Sequence, residues 1–260
     1  MINQQIELDN VEMFYDEYGS QYSSSRKNEG LLFNDFIERP ALRGLIQDAE
    51  YLRKKPISKV LDIGCGPGIY ACDLSGSGKK VVALDISQKM LSSAQSLCRE
   101  TLSKERFETI EFEHSSFESF QSKEQYDLIL ATFMLSYFHN LDTFFKKARE
   151  SMDPQGKLIT SMLHPIRTFS DQKTIKNEYT VKNYFSNGFY NSDFINKNKI
   201  LHLKKWNIED IATAAFNSGL LIEKILEPRL SISPPPSCSK VRASFFEENP
   251  SIIMFMMRRK

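Results

Sequence analysis

Three glycines, Gly64, Gly66 and Gly68, follow the apolar run Val60-Leu61-Asp62-Ile63, and about twenty positions further on Asp85 closes a second run, Val81-Val82-Ala83-Leu84. A turn without side chains at the end of a buried strand lets a ligand lie against bare backbone at the N-terminus of the following helix. A carboxylate at the end of the next strand can accept both hydroxyls of a ribose. A tight turn with nothing bound would need the glycines but not the acids, so the pair points to a nucleoside ligand.

The turn departs from the dinucleotide fingerprint. G-x-G-x-x-G asks for a third glycine at position 69, where the chain has Ile69, and the last glycine falls at Gly68 instead. That spacing gives up the close cradle for a pyrophosphate. The run Leu61-Asp62-Ile63-Gly64-Cys65-Gly66-Pro67-Gly68 closely resembles the first motif of class I S-adenosylmethionine-dependent methyltransferases, whose cofactor carries a ribose and an amino acid but no phosphate. The resemblance implies that Gly64, Cys65, Gly66 and Gly68 line the cofactor, that Asp62 sits near its cationic methionyl end, and that Asp85 takes the ribose hydroxyls. It places Ile86 and Met90 against the adenine. Ser116 and Phe117 occupy the position where the family often has an acid followed by an apolar residue, here with a hydroxyl in place of the carboxylate. Tyr126 to Leu135 resembles the fourth-strand motif, which puts the backbone of Ala131 and Thr132 at the methionyl amino group and Phe133 near the sulfur. Tyr15, Tyr18 and Tyr22 resemble lid tyrosines, with Tyr22 the choice for cofactor contact.

Methyl transfer from a sulfonium is an in-line displacement whose leaving group needs no acid, so positioning and exclusion of water suffice unless the nucleophile arrives protonated. The chain shows no catalytic triad. Its Leu135-Ser136-Tyr137 and Leu163-His164-Pro165 are similar to the Leu-His-Tyr and Glu-His-Pro runs of bacterial small-molecule methyltransferases, with the first histidine lost. His164 at the end of the fifth strand is the candidate general base. A histidine hydrogen-bonded to hold the turn before Pro165 fits the same position. Tyr137 is expected to orient substrate or to wall the pocket. His202 is a weaker pocket candidate, and His114 and His139 read as surface or helix-start residues. Enzymes that methylate nucleic-acid bases usually carry Asn or Asp, two prolines and an aromatic where this chain has Ala131 to Met134. The resemblance therefore implies methyl transfer to O, N or C of a small metabolite. The alternative is another use of the same cofactor, cyclising or cleaving its aminocarboxypropyl arm.

The elements that must position these residues alternate. Strands are expected near 59–63, 80–85, 108–113, 126–131, 157–162, 220–226 and 251–257, with helices over 69–76, 87–102, 140–152 and 207–218. Such alternation is the sequence form of an α/β, doubly wound, mainly parallel sheet. By resemblance it has seven strands, the last antiparallel between the fifth and sixth. Residues 1–55 read as an N-terminal helical lid, 56–163 as the cofactor-binding core, 164–205 as a substrate cap insertion, and 206–260 as the completion of the sheet. Residues 164–205 are too long for an ordinary loop.

Composition bounds the partners. The chain has 260 residues, enough for one large domain or one domain with an inserted cap, with 34 basic and 33 acidic residues and a net charge of +1. No global field attracts nucleic acid or an anionic membrane, which leaves a small-molecule substrate, with the protein a monomer or homodimer. Met1 to Gln5 lacks a signal-peptide core and Ile252 to Met257 is too short to span a bilayer, so a cytoplasmic protein is expected. Cys65, Cys72, Cys98 and Cys238 show no C-x-x-C spacing, and the expectation is four free thiols, no metal site and no disulfide.

Overall fold

The computed structural model describes residues 2–28, 30–170, 179–186, 188–192, 201–230, 233–234 and 238–260. Strands β1 (Lys59–Ile63), β2 (Lys80–Asp85), β3 (Ile110–His114), β4 (Tyr126–Ala131), β5 (Met152–Leu163), β8 (Leu220–Leu226) and β9 (Ile252–Arg259) form one sheet, while β6 (Phe189–Ser192) and β7 (Leu201–Lys204) form a separate hairpin. The strand order is β3-β2-β1-β4-β5-β9-β8, with the first five parallel and β9 antiparallel to both β5 and β8. This is the seven-stranded sheet expected from the sequence. Because parallel strands are covered on both faces, β1, β2 and β4 are continuous apolar runs rather than alternating ones. Val60 packs into one layer, with Leu42, Leu45, Leu128 and Met254. Leu61 and Ile63 face the other, with Ile129, Phe145, Leu158 and Phe255. Strand order reverses between β1 and β4, which opens a crevice at the carboxyl ends of the strands.

Several elements differ from expectation: Lys240–Glu248 is a helix where a loop was expected, β6 and β7 pair within the expected cap, and β5 starts early. Asp153-Pro154-Gln155-Gly156 were expected to stop the preceding helix, yet that helix ends at Ser151 and β5 begins at Met152, opposite Tyr126, absorbing the extra residues in an irregular register. A Cβ on Gly156 would stand 2.8 Å from the Tyr126 carbonyl, so only glycine lets the strands close there.

The helices are α1 (Ile2–Asn28), a π-helix Leu32–Glu38, α2 (Arg39–Arg53), α3 (Ile69–Gly76), α4 (Gln88–Thr101), α5 (Lys104–Phe107), α6 (Leu141–Ser151), α7 (Pro165–Thr168), α8 (Ile208–Asn217) and α9 (Lys240–Glu248). Ser87 caps α4 by accepting the Met90 N–H at 3.1 Å, and its own hydroxyl donates to Asp16 on α1. Asp16 also accepts the Lys89 N–H at 3.1 Å, so α1 is fastened to the start of α4. The hairpin meets α1 through a buried cluster of Phe14, Tyr190, Leu201 and Leu203. Residues 171–178 and 193–200 of the expected cap, and 235–237 of the proline run, lie outside the described residues.

The cysteine expectation is corrected. Cys72 on α3 and Cys98 on α4 form a disulfide, while Cys65 and Cys238 are free. The two sulfurs are 26 residues apart in sequence, and only the side-by-side packing of α3 and α4 brings them together.

Candidate active site

Gly64, Gly66 and Gly68 all adopt left-handed φ, of +68°, +54° and +81°, which side chains rarely tolerate. Their reasons differ. A Cβ on Gly64 would run into the Met134 side chain, and one on Gly68 would stand 2.6 Å from the Ala94 Cβ and 2.9 Å from its Cα. Gly68 therefore lets α3 and α4 approach, and it does not line the cavity expected of it. A Cβ on Gly66 would meet nothing within 4 Å and would project into the crevice.

That crevice is a cavity of about 790 Å³. Of the expected cofactor residues, Tyr22, Gly64, Cys65, Gly66, Asp85, Ile86, Met90, Ser116, Phe117, Thr132 and Phe133 line it, as does Tyr137. Asp62, Gly68, Ala131 and His164 do not. The Ser116 hydroxyl is turned toward Ser119, accepting its N–H at 3.2 Å and bonding its hydroxyl at 3.2 Å.

Asp85 braces the turn it faces. Its Oδ2 accepts the Gly66 N–H at 2.8 Å and its Oδ1 the Ser87 N–H at 2.9 Å, tying β1's turn to the start of α4. Burial pushes its carboxyl up to about 6 against those two donors. Asp62 lies beneath the turn with no solvent exposure, and neither carboxylate oxygen has a hydrogen-bond partner. Burial, then the neighbouring charges of Asp85 and Glu38, push it up to about 7. A buried orphan carboxylate next to a side-chain-free cradle is a fitting place for a cationic ligand. The residues present thus fit a cofactor with a ribose and a positively charged end.

The fourth-strand segment is held by residues that the sequence reading missed. Phe133 has a left-handed φ of +55°, and its N–H donates to Ser161 Oγ at 2.8 Å. Ser161 in turn donates to Glu38, which also accepts the Tyr70 hydroxyl at 2.6 Å. Burial pushes Glu38 up to about 7, with both hydroxyl donors opposing the rise. Beside it Arg26 forms a buried bidentate pair with Asp35, at 2.8 and 3.3 Å, and lies over the rings of Tyr22 and Tyr70. Glu38 closes the π-helix, a conformation common at functional sites. In sequence it reads only as a charge before Arg39-Pro40, so nothing marks it.

At the other end, Tyr137 and Tyr15 share a hydrogen bond of 2.6 Å between their hydroxyls. Burial raises both phenols well above their ordinary range, so they stand protonated. His164 is 2% exposed; its Nδ1 accepts the Ile166 N–H at 3.1 Å and its Nε2 lies 2.8 Å from Glu227 Oε1. The structure places it as the N-cap of α7, the second of the two roles the sequence allowed. His202 is exposed on β7, and His114 Nε2 lies 2.8 Å from the Ile86 carbonyl. Among the described residues no three His, Cys, Asp or Glu side chains gather as a metal site, and no helix is long and apolar enough to cross a membrane.

Residues 60–156 match the methyltransferase domain family. A ubiquinone biosynthesis O-methyltransferase of Rickettsia akari is 28% identical over 116 residues, 45% of this chain and 44% of its own length. An uncharacterized protein of Haemophilus influenzae is 29% identical over 157 residues, 59% of this chain and 58% of its own. The matched segments thus span about half the length of these relatives. In structure, an S-adenosylmethionine-dependent methyltransferase of Mesorhizobium loti superposes with a TM-score of 0.66 at 22% identity, covering 85% of this chain and 97% of that one. Magnesium protoporphyrin IX methyltransferase of Synechocystis PCC 6803, with bound S-adenosylhomocysteine, superposes with a TM-score of 0.64 at 16% identity, covering 98% of this chain and 100% of that one. Over residues 60–156 the chain is similar to the methyltransferase domain family, and its fold is that of these solved methyltransferases.

Proposed function

We propose that the chain transfers the methyl group of S-adenosylmethionine to O, N or C of a small metabolite. The observation that carries this reading is the arrangement of Gly66, Asp85 and Asp62: an open cradle, an acid braced at its edge, and a buried orphan carboxylate beneath it. When bound, the cofactor supplies an electrophilic methyl on a positively charged sulfur. Asp85 would hold the ribose diol with the lone pairs its two backbone bonds leave over. Ile86, Met90 and Phe117 would enclose the adenine, and Asp62 would sit beneath the cationic end. The Glu38–Ser161–Phe133 relay would fix the backbone after β4.

The residues around the acceptor end exclude water and orient rather than take protons. Tyr15 and Tyr137, held protonated, can offer one O–H to an acceptor while bonding each other. Positioning then supplies the rate. An activity of this kind is testable with purified protein, by calorimetry with S-adenosylhomocysteine and by a metabolite screen for its formation. Asp85→Ala should lower S-adenosylhomocysteine affinity by about ten- to a hundredfold, since the lost acceptor leaves hydroxyls unpaired at a cost of roughly 1–3 kcal/mol. Unchanged affinity would remove the cofactor-site assignment.

A further inference from the structure

We propose that Glu38 is a positioning residue for the cofactor: it holds the two banks of the crevice at the spacing that the aminocarboxypropyl arm requires, while the adenosine end is held without it. The inference rests on the methyl-transfer reading and assigns part of that same site to a side chain that does not line it. One bank of the cavity is the glycine turn with Tyr70 of α3, and the other is Thr132 and Phe133 after β4. Glu38 and Ser161 bond to these residues from outside the cavity, both with no solvent exposure. Glu38 reaches both banks. Its Oε2 accepts the Tyr70 hydroxyl at 2.6 Å, its Oε1 accepts the hydroxyl of Ser161 on β5, and Ser161 Oγ accepts the Phe133 N–H at 2.8 Å. One buried carboxylate thus spans the crevice that the reversal of strand order leaves open.

The direction of this relay is fixed at its far end. A backbone N–H can only donate, so Ser161 Oγ accepts there and turns its own hydrogen to Glu38. Phe133 needs the hold, because its φ of +55° is strained for a residue with a side chain and persists only where the surroundings impose it. Without it the peptide groups after Ala131, which the methyl-transfer reading gives to the methionyl amino group, would turn as the strain relaxed. Glu38 also lies close enough for its charge to act on Asp62, the acid placed under the cationic end. The ribose side has a separate support, Asp85 on the Gly66 and Ser87 N–H groups. Behind Glu38 the π-helix is itself anchored: Asp35 takes a bidentate pair from Arg26 of α1 and accepts the Leu31 N–H at 2.8 Å, and the Arg39 N–H donates to the Asn34 carbonyl.

The test compares S-adenosylhomocysteine with 5′-methylthioadenosine, which has the same adenosine end and no aminocarboxypropyl arm, by calorimetry, the weaker ligand being read by competition. Ser161→Ala and Glu38→Leu should each weaken S-adenosylhomocysteine about tenfold or more and leave 5′-methylthioadenosine within about twofold. Glu38→Gln should keep most of the affinity, since its amide oxygen can accept from Ser161 and its NH2 can donate to Tyr70, whose hydrogen can turn to the Asn34 carbonyl at 3.4 Å. Thermal unfolding reports whether each variant folds, and Ser161→Ala carries the test if Glu38→Leu does not. Equal weakening of both ligands would make Glu38 a merely structural residue and overturn the proposal. So would unchanged S-adenosylhomocysteine affinity in Ser161→Ala, or a loss in Glu38→Gln as large as in Glu38→Leu. If 5′-methylthioadenosine fails to compete in the unaltered chain, the two ends are not held separately and the proposal falls. If the unaltered chain binds neither ligand, the methyl-transfer reading falls with it; every other adverse outcome leaves that reading standing.

Discussion

The two ring nitrogens of His164 are committed to the protein, one accepting the Ile166 N–H and the other donating to Glu227. With Nδ1 as acceptor the tautomer must carry its proton on Nε2, and no lone pair is left to take a proton from a substrate. Burial lowers its pKa against the pull of Glu227, which keeps the ring neutral. His164→Ala should therefore cost stability, about 1–3 kcal/mol for the lost turn bonds, with S-adenosylhomocysteine affinity unchanged. The pH profile of turnover should keep its shape in that variant. A limb near neutrality that disappears with the imidazole would restore His164 as the base. The residue type and the strand end were legible in sequence. Its partner Glu227, 63 residues away, was not, and that partner decides the role.

At the scale of elements, the turn between β1 and α3 separates two kinds of glycine. Gly66→Ala adds a methyl to open space with a strained φ, so it should cost about 1–2 kcal/mol of stability yet abolish measurable cofactor binding. Gly68→Ala adds the same strain and drives a methyl into the backbone of α4, so its larger loss should appear in stability first. Urea unfolding and calorimetry on the two variants separate the cases. The α3–α4 contact also carries the Cys72–Cys98 bond. Reducing it, or Cys72→Ala with Cys98→Ala, should lower unfolding stability by about 2–4 kcal/mol, measured against the unmodified chain. The glycine turn, the helices around it and the places of the sheet's strands follow local rules, so they were readable, while the early start of β5 was not. Residues on β5 and the π-helix joined to Phe133 by Ser161 and Glu38 carry no local signal, because their bonds span the sheet.

Across the whole molecule, three buried acids stand together, Asp62 feeling the charges of both others: Asp62 and Glu38 are raised to about 7 and Asp85 to about 6. Burial is the largest cause in each. Folding therefore takes up protons that the unfolded chain has released at neutral pH. Their contribution to stability is fully present below pH about 4 and is lost as pH rises through about 7. With shifts of this size the loss is on the order of a few kcal/mol for each acid. Asp62→Asn should reduce the fall in unfolding free energy between about pH 5 and about pH 8, compared with the unaltered chain in urea titrations. An unaltered slope would mean that Asp62 is already ionised in the fold. A cationic ligand reverses the cost, so S-adenosylmethionine should stabilise the chain more at the higher pH.

The alternation of strands and helices in the core, the glycine turn and the acid at its edge were determined by sequence alone, because each arises from periodicity or spacing within one βαβ unit. Tertiary structure decided the rest. It paired Cys72 with Cys98, joined Tyr15 to Tyr137 across 122 positions, set Glu38 beneath Phe133 through Ser161, and turned His164 inward while α7 carried Arg167 to the cavity. Those outcomes depend on which elements meet at the carboxyl edge of the sheet and on how deeply each polar group is buried there. Neither quantity is a property of a short stretch of chain.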